Sequence, residues 1–239
     1  MFHPSLEQLP PAELANAQEA LHARGYHRFE AFAAPALIER LEAEIASLAA
    51  HVDASSLLDL VCDQHGKPLV MGRMDKLSDY LFDLARHPIL MRLAGSLLQR
   101  PAISLNIQYV AKFAGSGPPT AAHQDQATYQ AHFTTEPAIT FWIALDDATI
   151  ENGALEYGQP SPQTLLEHVL SDTVATYELT STEGLTFEAA PLPAGGCVVH
   201  HALAVHRAGE NRTSRPRRAV VFSYRGSAYR AALEAAGAP

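Results

Sequence analysis

The sequence predicts a mainly β protein with flanking α-helices, in which short strands form a β-sandwich or jelly roll. Residues 1–100 are mainly helical in pattern, whereas residues 101–225 alternate short apolar segments with turn residues. Short strands of this number and spacing are typical of sandwiches and jelly rolls. A chain of 239 residues can bury a sizeable core, so we expect residues 1–239 to form a single domain with the helices outside the strands.

The helices have recognisable starts and ends. Pro11 lies in the first turn of one predicted helix and Gly25 follows its last residue, as is common at helix termini. The dipeptide His87-Pro88 is expected to divide a later helical stretch into two helices, because proline disfavours a helical residue before it. A further helix is predicted for residues 226–239. The helix that starts at Pro35 carries apolar residues at helical spacing: Leu37, Ile38, Leu41, Ile45 and Leu48.

The strands are predicted after Pro101, with turn residues such as Asn152-Gly153 and Gly195-Gly196 between them. The predicted segments are ISLNIQYVAKF, AAHQDQATY, AITFWIALDD, ALEYG, TVATYELT, LTFEAAPL, GCVVHHALAVH and RAVVFSYR. One more short strand, YHRFEAF, is predicted between the first two helices. Residues 54–75 are too irregular to assign.

The composition argues against several classes of protein. Lys and Arg total 17 and Asp and Glu total 26, which gives a net charge of −9. A nucleic-acid-binding protein would normally carry a basic face, so no nucleic-acid partner is expected. No apolar run approaches the ~20 residues of a membrane span, and the N-terminus lacks the basic and apolar regions of a signal peptide. Cys62 and Cys197 alone cannot form a disulfide framework, which favours a cytoplasmic protein.

Three residues are candidates for a metal site. His123 and Asp125 are separated by one residue, and on a strand such residues face the same side. Alone, this pair is more typical of a solvated loop than of a metal site. His206 ends the apolar run ALAVH, which favours a position at the mouth of a strand, whereas the pair His200 and His201 is expected to be exposed. Two histidines and one carboxylate are typical of non-heme Fe(II) oxygenases, because this set leaves positions open for O2 and a co-substrate.

A candidate anion-binding arginine follows the last of these histidines. Arg217 or Arg218 is predicted to return beside His206 through a hairpin formed by RAGENRTSRP. A planar guanidinium can hold a carboxylate in two parallel hydrogen bonds, as a dicarboxylic co-substrate would need. Asn211 and Thr213 are expected to shape the turn rather than to contact a ligand.

Three segments together resemble the phytanoyl-CoA dioxygenase family of Fe(II)- and 2-oxoglutarate-dependent oxygenases: HQDQATY, ITFWIALDDATIENGALEY and GGCVVHHALAVHRAGENRTSRPRRAVVFSYR. The resemblance covers residues 100–225 and implies a double-stranded β-helix, the cupin-like form of the jelly roll. It implies that the three candidate ligands bind iron and that Arg217, not Arg218, anchors the distal carboxylate of 2-oxoglutarate. It also implies that Trp142 lines the 2-oxoglutarate pocket and that Gln108 contacts the co-substrate from a strand of the same barrel.

The sequence departs from the family pattern at two places. The turn after the ENG strand commonly holds a histidine in relatives, but here it is GQPSPQ, so the rim of the pocket differs. Ala208 stands where a serine often contacts the co-substrate. Asp125 is retained, and because halogenases of the superfamily replace this aspartate by a small residue, its presence favours hydroxylation or a related oxidation.

The substrate is expected to be a small or medium metabolite or a natural-product intermediate, because the segment between Tyr157 and Gly195 leaves little room for a large lid. Tyr129 and His132 follow the predicted metal-binding strand, and Arg73 lies in LVMGRMDKL; these three are candidate pocket residues. The acidic net charge disfavours an acyl-CoA, whose phosphates need a basic site.

Two other functions are consistent with the same fold. A cupin-like isomerase or epimerase would use a divalent metal without O2 and would not need Arg217. A non-catalytic scaffold would tolerate the loss of Asp125. The chain carries the two histidines, the aspartate and the arginine together, which favours the oxygenase.

Overall fold

A computed structural model describes residues 1–51, 60–115, 117–128, 137–172 and 177–227. Within these ranges the α-helices are α1 (Pro11–Arg24), α2 (Pro35–His51), α3 (Asp79–Ala85), α4 (Pro88–Leu98) and α5 (Asp125–Thr128). Single 3-10 turns cover Pro4–Leu6 and Met74–Lys76. The strands are β1 (Tyr26–Phe29), β2 (Leu60–Cys62), β3 (Pro68–Met71), β4 (Ala102–Lys112), β5 (Thr120–His123), β6 (Ala138–Ala144), β7 (Leu155–Gln159), β8 (His168–Leu170), β9 (Tyr177–Leu179), β10 (Thr186–Ala189), β11 (Cys197–His201), β12 (His206–Ala208) and β13 (Arg217–Gly226).

Two antiparallel sheets face each other and form the jelly roll. The large sheet has the strand order β1-β11-β6-β13-β4-β3-β2, and the small sheet has the order β10-β7-β12-β5. A separate hairpin pairs β8 with β9. The mainly β, jelly-roll fold predicted from the sequence is therefore confirmed.

Apolar side chains form one layer on each face of the large sheet. On β6, Phe141 joins the layer beneath the helices and Trp142 joins the layer between the two sheets. Val220 and Val221 alternate in the same way on β13. Each such side chain contributes roughly 1.5–3 kcal/mol when it is removed from water. The helices thus cover the outer face of the strands, and of those described, none is both long and apolar enough to cross a bilayer.

The helix ends follow their sequence signals. After α1, Gly25 takes φ of 80° and its N–H donates to the Leu21 carbonyl at 3.1 Å. A Cβ at this glycine would lie 2.8 Å from Cβ of Ala204, so the close approach also requires glycine. At the predicted break, His87 precedes α4 and its Nδ1 accepts from the Ile89 N–H at 3.3 Å.

Three strand predictions are corrected by the structure. Strand β5 ends at His123, and Asp125 begins α5 instead of continuing the strand. The segment GCVVHHALAVH is divided between β11 in the large sheet and β12 in the small sheet, because the chain turns where the Ala204 N–H donates to the His201 carbonyl at 2.8 Å. The irregular stretch before residue 75 contains β2 and β3, which pair with each other and extend the large sheet beyond β4.

The connection from residue 208 to residue 217 is not the predicted hairpin, since β12 and β13 belong to different sheets. Asn211 shapes it as expected: its side-chain amide donates to the carbonyls of Lys112 at 2.8 Å and Arg215 at 2.7 Å. Its Oδ1 accepts from the Thr213 N–H at 2.9 Å. The predicted C-terminal helix and part of TVATYELT, residues 228–239 and 173–176, lie outside the described residues.

Candidate metal centre

The three candidate ligands meet at one end of the small sheet. His123 is the last residue of β5, and its Cα pairs directly with that of His206, the first residue of β12. Asp125 follows at the start of α5, so its carboxylate turns back toward both histidines. One potential ligand atom from each of the three residues lies within 4.8 Å of the others.

The atoms that approach one another are those that could bind a metal, a carboxylate oxygen and two imidazole nitrogens. Asp125 Oδ1 lies 3.8 Å from His123 Nε2 and 3.6 Å from His206 Nε2. The centroids of the two imidazole rings are 4.2 Å apart. Two nitrogens and one carboxylate oxygen therefore converge closely enough to bind one metal ion.

Backbone carbonyls fix the tautomers of both histidines. His123 Nδ1 lies 2.8 Å from the Ala121 carbonyl and His206 Nδ1 lies 3.1 Å from the Ala204 carbonyl. A carbonyl can only accept, so each Nδ1 carries the proton and each Nε2 keeps a free lone pair. Burial lowers the pKa of both rings, that of His206 to about 3, so both are neutral at pH 7. Neutral imidazoles beside an anionic carboxylate suit a divalent cation.

Two donors hold the second oxygen of the carboxylate. Asp125 Oδ2 accepts from the Thr140 hydroxyl at 2.8 Å and lies 3.1 Å from His200 Nε2. Burial opposes ionisation, but the hydrogen bond from His200 and the positive charge that the neighbouring histidines gain once they are protonated at low pH outweigh it and hold the pKa of Asp125 below its usual range. The expectation that His200 is exposed is wrong, because its relative exposure is 2%.

The residue between His123 and Asp125 is fixed by hydrogen bonds from both its side chain and its backbone. Gln124 is fully buried, and its amide donates to the carbonyls of Thr164 at 3.0 Å and Leu203 at 2.6 Å. Its Oε1 accepts from the Leu166 N–H at 2.8 Å. Its own N–H donates to His168 Nε2 at 3.1 Å. The bond to Leu203 ties the end of β5 to the turn before β12, and the others tie it to residues 164–168.

Of the two candidate arginines, only Arg217 faces the space between the sheets. Its guanidinium carbon lies 5.2 Å from the centroid of the Trp142 ring, and its Nε is buried without a hydrogen bond in the described part of the chain. Burial lowers its pKa to about 10, which still leaves it charged at pH 7. Arg218 faces the helices instead, where it donates to both oxygens of Asp146 at 2.8 and 2.7 Å and pairs with Glu42 at 2.6 Å.

A second buried basic residue lies beside Arg217 in the large sheet. Lys112 is 4% exposed, pairs by its Cα with Arg217 and donates from Nζ to the Pro118 carbonyl. Burial, and then the charge of Arg217, lower its pKa to about 7, while Glu210 acts in the opposite direction. Its ordinary pKa of 10.5 applies in the unfolded chain.

This shift predicts a pH dependence of stability. Between pH 7 and 10.5 the unfolded chain holds a proton that the folded protein has released, so stability should rise with pH by up to about 1.4 kcal/mol per pH unit. Below pH 7 this contribution is constant. In Lys112→Met the rise should be absent, and in the exposed-lysine control Lys76→Met it should persist; urea unfolding from pH 7 to 9.5 measures both. An equal slope in Lys112→Met would contradict the assignment.

Four further residues are predicted to line the co-substrate or substrate pocket: Gln108, Arg73, Tyr129 and His132. Gln108 lies on β4, and its Cα pairs with that of Val221, which in turn pairs with Trp142. Arg73 is exposed, and its backbone N–H donates to Asn106 Oδ1 at 2.8 Å. Tyr129 and His132 lie outside the described residues.

The family model of the phytanoyl-CoA dioxygenases (PhyH) matches residues 21–219. The chain belongs to this family. A methylphosphonate hydroxylase of Gimesia maris is 33% identical over 131 residues, which are 55% of this chain and 48% of that protein. The match therefore spans about half the length of this curated relative.

Several solved structures share the fold. The α-ketoglutarate-dependent epimerase SnoN from nogalamycin biosynthesis superposes with a TM-score of 0.71 at 24% identity, covering 91% of this chain and 84% of SnoN. EvdO2 of Micromonospora carbonacea var. aurantiaca, solved with 2-oxoglutarate, gives a TM-score of 0.70 at 24% identity over 89% of this chain and 90% of its own. EctD of S. alaskensis, solved with 2-oxoglutarate and 5-hydroxyectoine, gives 0.73 at 17% identity over 90% and 77%.

Proposed function

We propose that this PhyH-family protein is an Fe(II)- and 2-oxoglutarate-dependent oxygenase that oxidises a C–H bond of a small molecule. One observation carries the proposal: the ligand-type atoms of His123, Asp125 and His206 converge within 4.8 Å. Both imidazoles present an unprotonated Nε2 to the shared space. When bound, Fe(II) supplies the activation of O2, with 2-oxoglutarate as the co-reductant that is converted to succinate and CO2.

The protein holds and orients these groups. The two imidazoles and one carboxylate oxygen would hold the metal with three protein ligands, a set that leaves coordination positions for the co-substrate and O2. Arg217 is proposed to bind the distal carboxylate of 2-oxoglutarate with two parallel hydrogen bonds, since it is a buried cation without an acidic partner among the described residues. Trp142 beside it and Gln108 on β4 complete that end of the pocket.

The substrate class is proposed to be a small metabolite or natural-product intermediate. The curated relative hydroxylates methylphosphonate by name, and EctD was solved with 5-hydroxyectoine, both of them small molecules. Tyr129, His132 and Arg73 remain our candidates for contacting the substrate. Three predictions are kept: no nucleic-acid partner, a cytoplasmic location and one domain over residues 1–239. The cytoplasmic location is supported by the free thiols of Cys62 and Cys197.

A second outcome uses the same site. SnoN is an epimerase, so removal of a hydrogen atom from one face followed by delivery of another to the opposite face is an alternative to hydroxylation. In epimerisation an external reductant supplies the two electrons that hydroxylation takes from the substrate. The two outcomes differ in the product, because hydroxylation adds one oxygen atom whereas epimerisation leaves the mass unchanged. Mass spectrometry of the product distinguishes them once a substrate is found.

The deciding experiment is an anaerobic titration of the purified apoprotein, first with Fe(II) and then with 2-oxoglutarate. We expect a visible metal-to-ligand charge-transfer band on addition of 2-oxoglutarate. Metal binding without a band would contradict the oxygenase and favour an isomerase that uses a metal alone. Absence of metal binding would favour a non-catalytic scaffold.

A further inference from the structure

A third histidine lies directly behind the carboxylate of the candidate metal centre. His200, on β11, is buried and its Nε2 is 3.1 Å from Asp125 Oδ2. We propose that His200 is a positioning residue that, with Thr140, holds Asp125 so that Oδ1 alone is presented to the metal. This inference rests on the proposed function, since it assumes that the centre binds a divalent cation.

The register of the large sheet places the two donors side by side. His200 on β11 and Thr140 on β6 are direct Cα partners, and Tyr26 on β1 is the partner of His200 on its other side. Directly opposed residues on neighbouring strands point to the same face of a sheet. The side chains of His200 and Thr140 therefore reach the same oxygen of Asp125 from adjacent strands.

The hydrogen-bonding capacity of each group fixes the direction of this contact. An ionised carboxylate only accepts, so the Nε2–H of His200 donates to Asp125 Oδ2. The opposite nitrogen, Nδ1, lies 2.8 Å from the hydroxyl oxygen of Tyr157. Both ring nitrogens of His200 are therefore engaged, which explains why this ring is a neighbour of the cluster and not part of its converging ligand set.

Tyr157 is itself held rigidly. It is fully buried on β7, and its ring stacks on that of Tyr26 with centroids 4.1 Å apart and planes inclined by 11°. The chain of contacts thus runs from a stacked tyrosine pair in the core through His200 to the outer oxygen of Asp125. Because Oδ2 receives two hydrogen bonds, the carboxylate cannot rotate to offer both oxygens without breaking them.

The expected effect is on metal affinity. His200→Leu removes both contacts, and we expect the affinity for Co(II) to fall by roughly 10–100-fold, as is typical when a partner of a metal ligand is lost. Thr140→Val removes the other donor without changing the shape of the side chain and should weaken Co(II) binding in the same direction. His200→Gln keeps a donor and an acceptor, so its affinity should stay within roughly threefold of the wild type.

The experiment is an anaerobic Co(II) titration of each full-length apoprotein, followed by its visible absorption, with thermal unfolding of the apoprotein measured in parallel. His201→Leu is the matched control, because it makes the same change at the next residue, on the opposite face of β11. If His200 had a purely structural role, its substitution would lower the unfolding temperature. It would not weaken Co(II) binding in His200→Leu and preserve that binding in His200→Gln.

The outcomes separate the two proposals. If the wild type fails to bind Co(II), the metal centre and the proposed function are overturned together with this inference. If the wild type binds and His200→Leu and Thr140→Val bind equally well, only the positioning role is overturned. If His200→Leu does not fold, Thr140→Val and His200→Gln still decide, since the first must weaken binding and the second must preserve it.

Discussion

Asp125→Ala should abolish the stabilisation that a divalent metal gives to the wild-type protein. A ligand that binds only the folded state stabilises it by about 2.7 kcal/mol at a hundred times its Kd. Without the carboxylate, the described ligand set is reduced to two neutral imidazoles, which carry no negative charge to offset that of the cation. We expect the Kd for Co(II) to rise by more than about 100-fold and the metal-induced increase in melting temperature to disappear. Thermal unfolding with and without Co(II) measures this.

Two further variants separate charge from shape. Asp125→Asn keeps the outline of the side chain but loses its charge, so it should also bind Co(II) weakly. Asp147→Ala removes a carboxylate on the loop after β6, which accepts from the Ala194 N–H at 2.9 Å, and should keep the full metal-induced shift. A normal shift in Asp125→Ala would show that the metal binds elsewhere.

The three candidate ligands, which the structure brings together, could be selected from sequence because the signal for each is local. His123 and Asp125 are two residues apart, and the run before His206 places that residue at the end of an apolar segment. The family resemblance then supplied the association of the two segments, which the pairing of His206 with His123 in the small sheet now shows directly. The helices were predictable for the same reason, since His87 and Gly25 act on their immediate neighbours.

The groups behind the ligands could not be predicted in this way. Thr140 and His200 are 60 residues apart in the chain and meet only because β6 and β11 pair in one particular register. The strand alternation that puts Trp142 between the sheets also puts Thr140 there, and this was the one available signal. Strand β3 forms for an equally non-local reason, because it pairs with β4, and β2 in turn pairs with β3.

The alternation of a strand also explains the difference between the two arginines. Arg217 and Arg218 are consecutive on β13, so they face opposite sides of the large sheet. The outward residue meets Asp146 and Glu42, and the inward one meets the Trp142 ring. The expected hairpin was wrong, but the inward position does not depend on it, since it follows from the pairing of Arg217 with Lys112.

Arg217→Met should weaken 2-oxoglutarate binding while leaving metal binding intact. The variant keeps most of the side-chain volume but removes the guanidinium that lies over the Trp142 ring, so the distal carboxylate would lose the two parallel hydrogen bonds proposed for it. We expect a loss of about 30-fold or more in affinity, equivalent to about 2 kcal/mol. Titration of the Fe(II)-loaded protein with 2-oxoglutarate, followed by the charge-transfer band, measures it. Arg218→Met is the matched control and should bind 2-oxoglutarate normally, because that guanidinium is already paired with Asp146.

The same substitution should have the opposite effect on the protein without co-substrate. A buried guanidinium without a direct ion-pair partner among the described residues is costly, and burial lowers the pKa of Arg217 to about 10 although the charge of Asp146 acts in the opposite direction. We therefore expect the Arg217→Met apoprotein to melt at the same temperature as the wild type or higher, whereas Arg218→Met, which breaks a paired contact, should melt lower. The decisive result would be a reversal: the wild-type apoprotein is less stable than the Arg217→Met apoprotein, but the wild type is the more stable of the two once metal and 2-oxoglutarate are bound. This result would show that Arg217 is retained for binding at the expense of folding stability. A large fall in the stability of the Arg217→Met apoprotein would instead assign it a structural role.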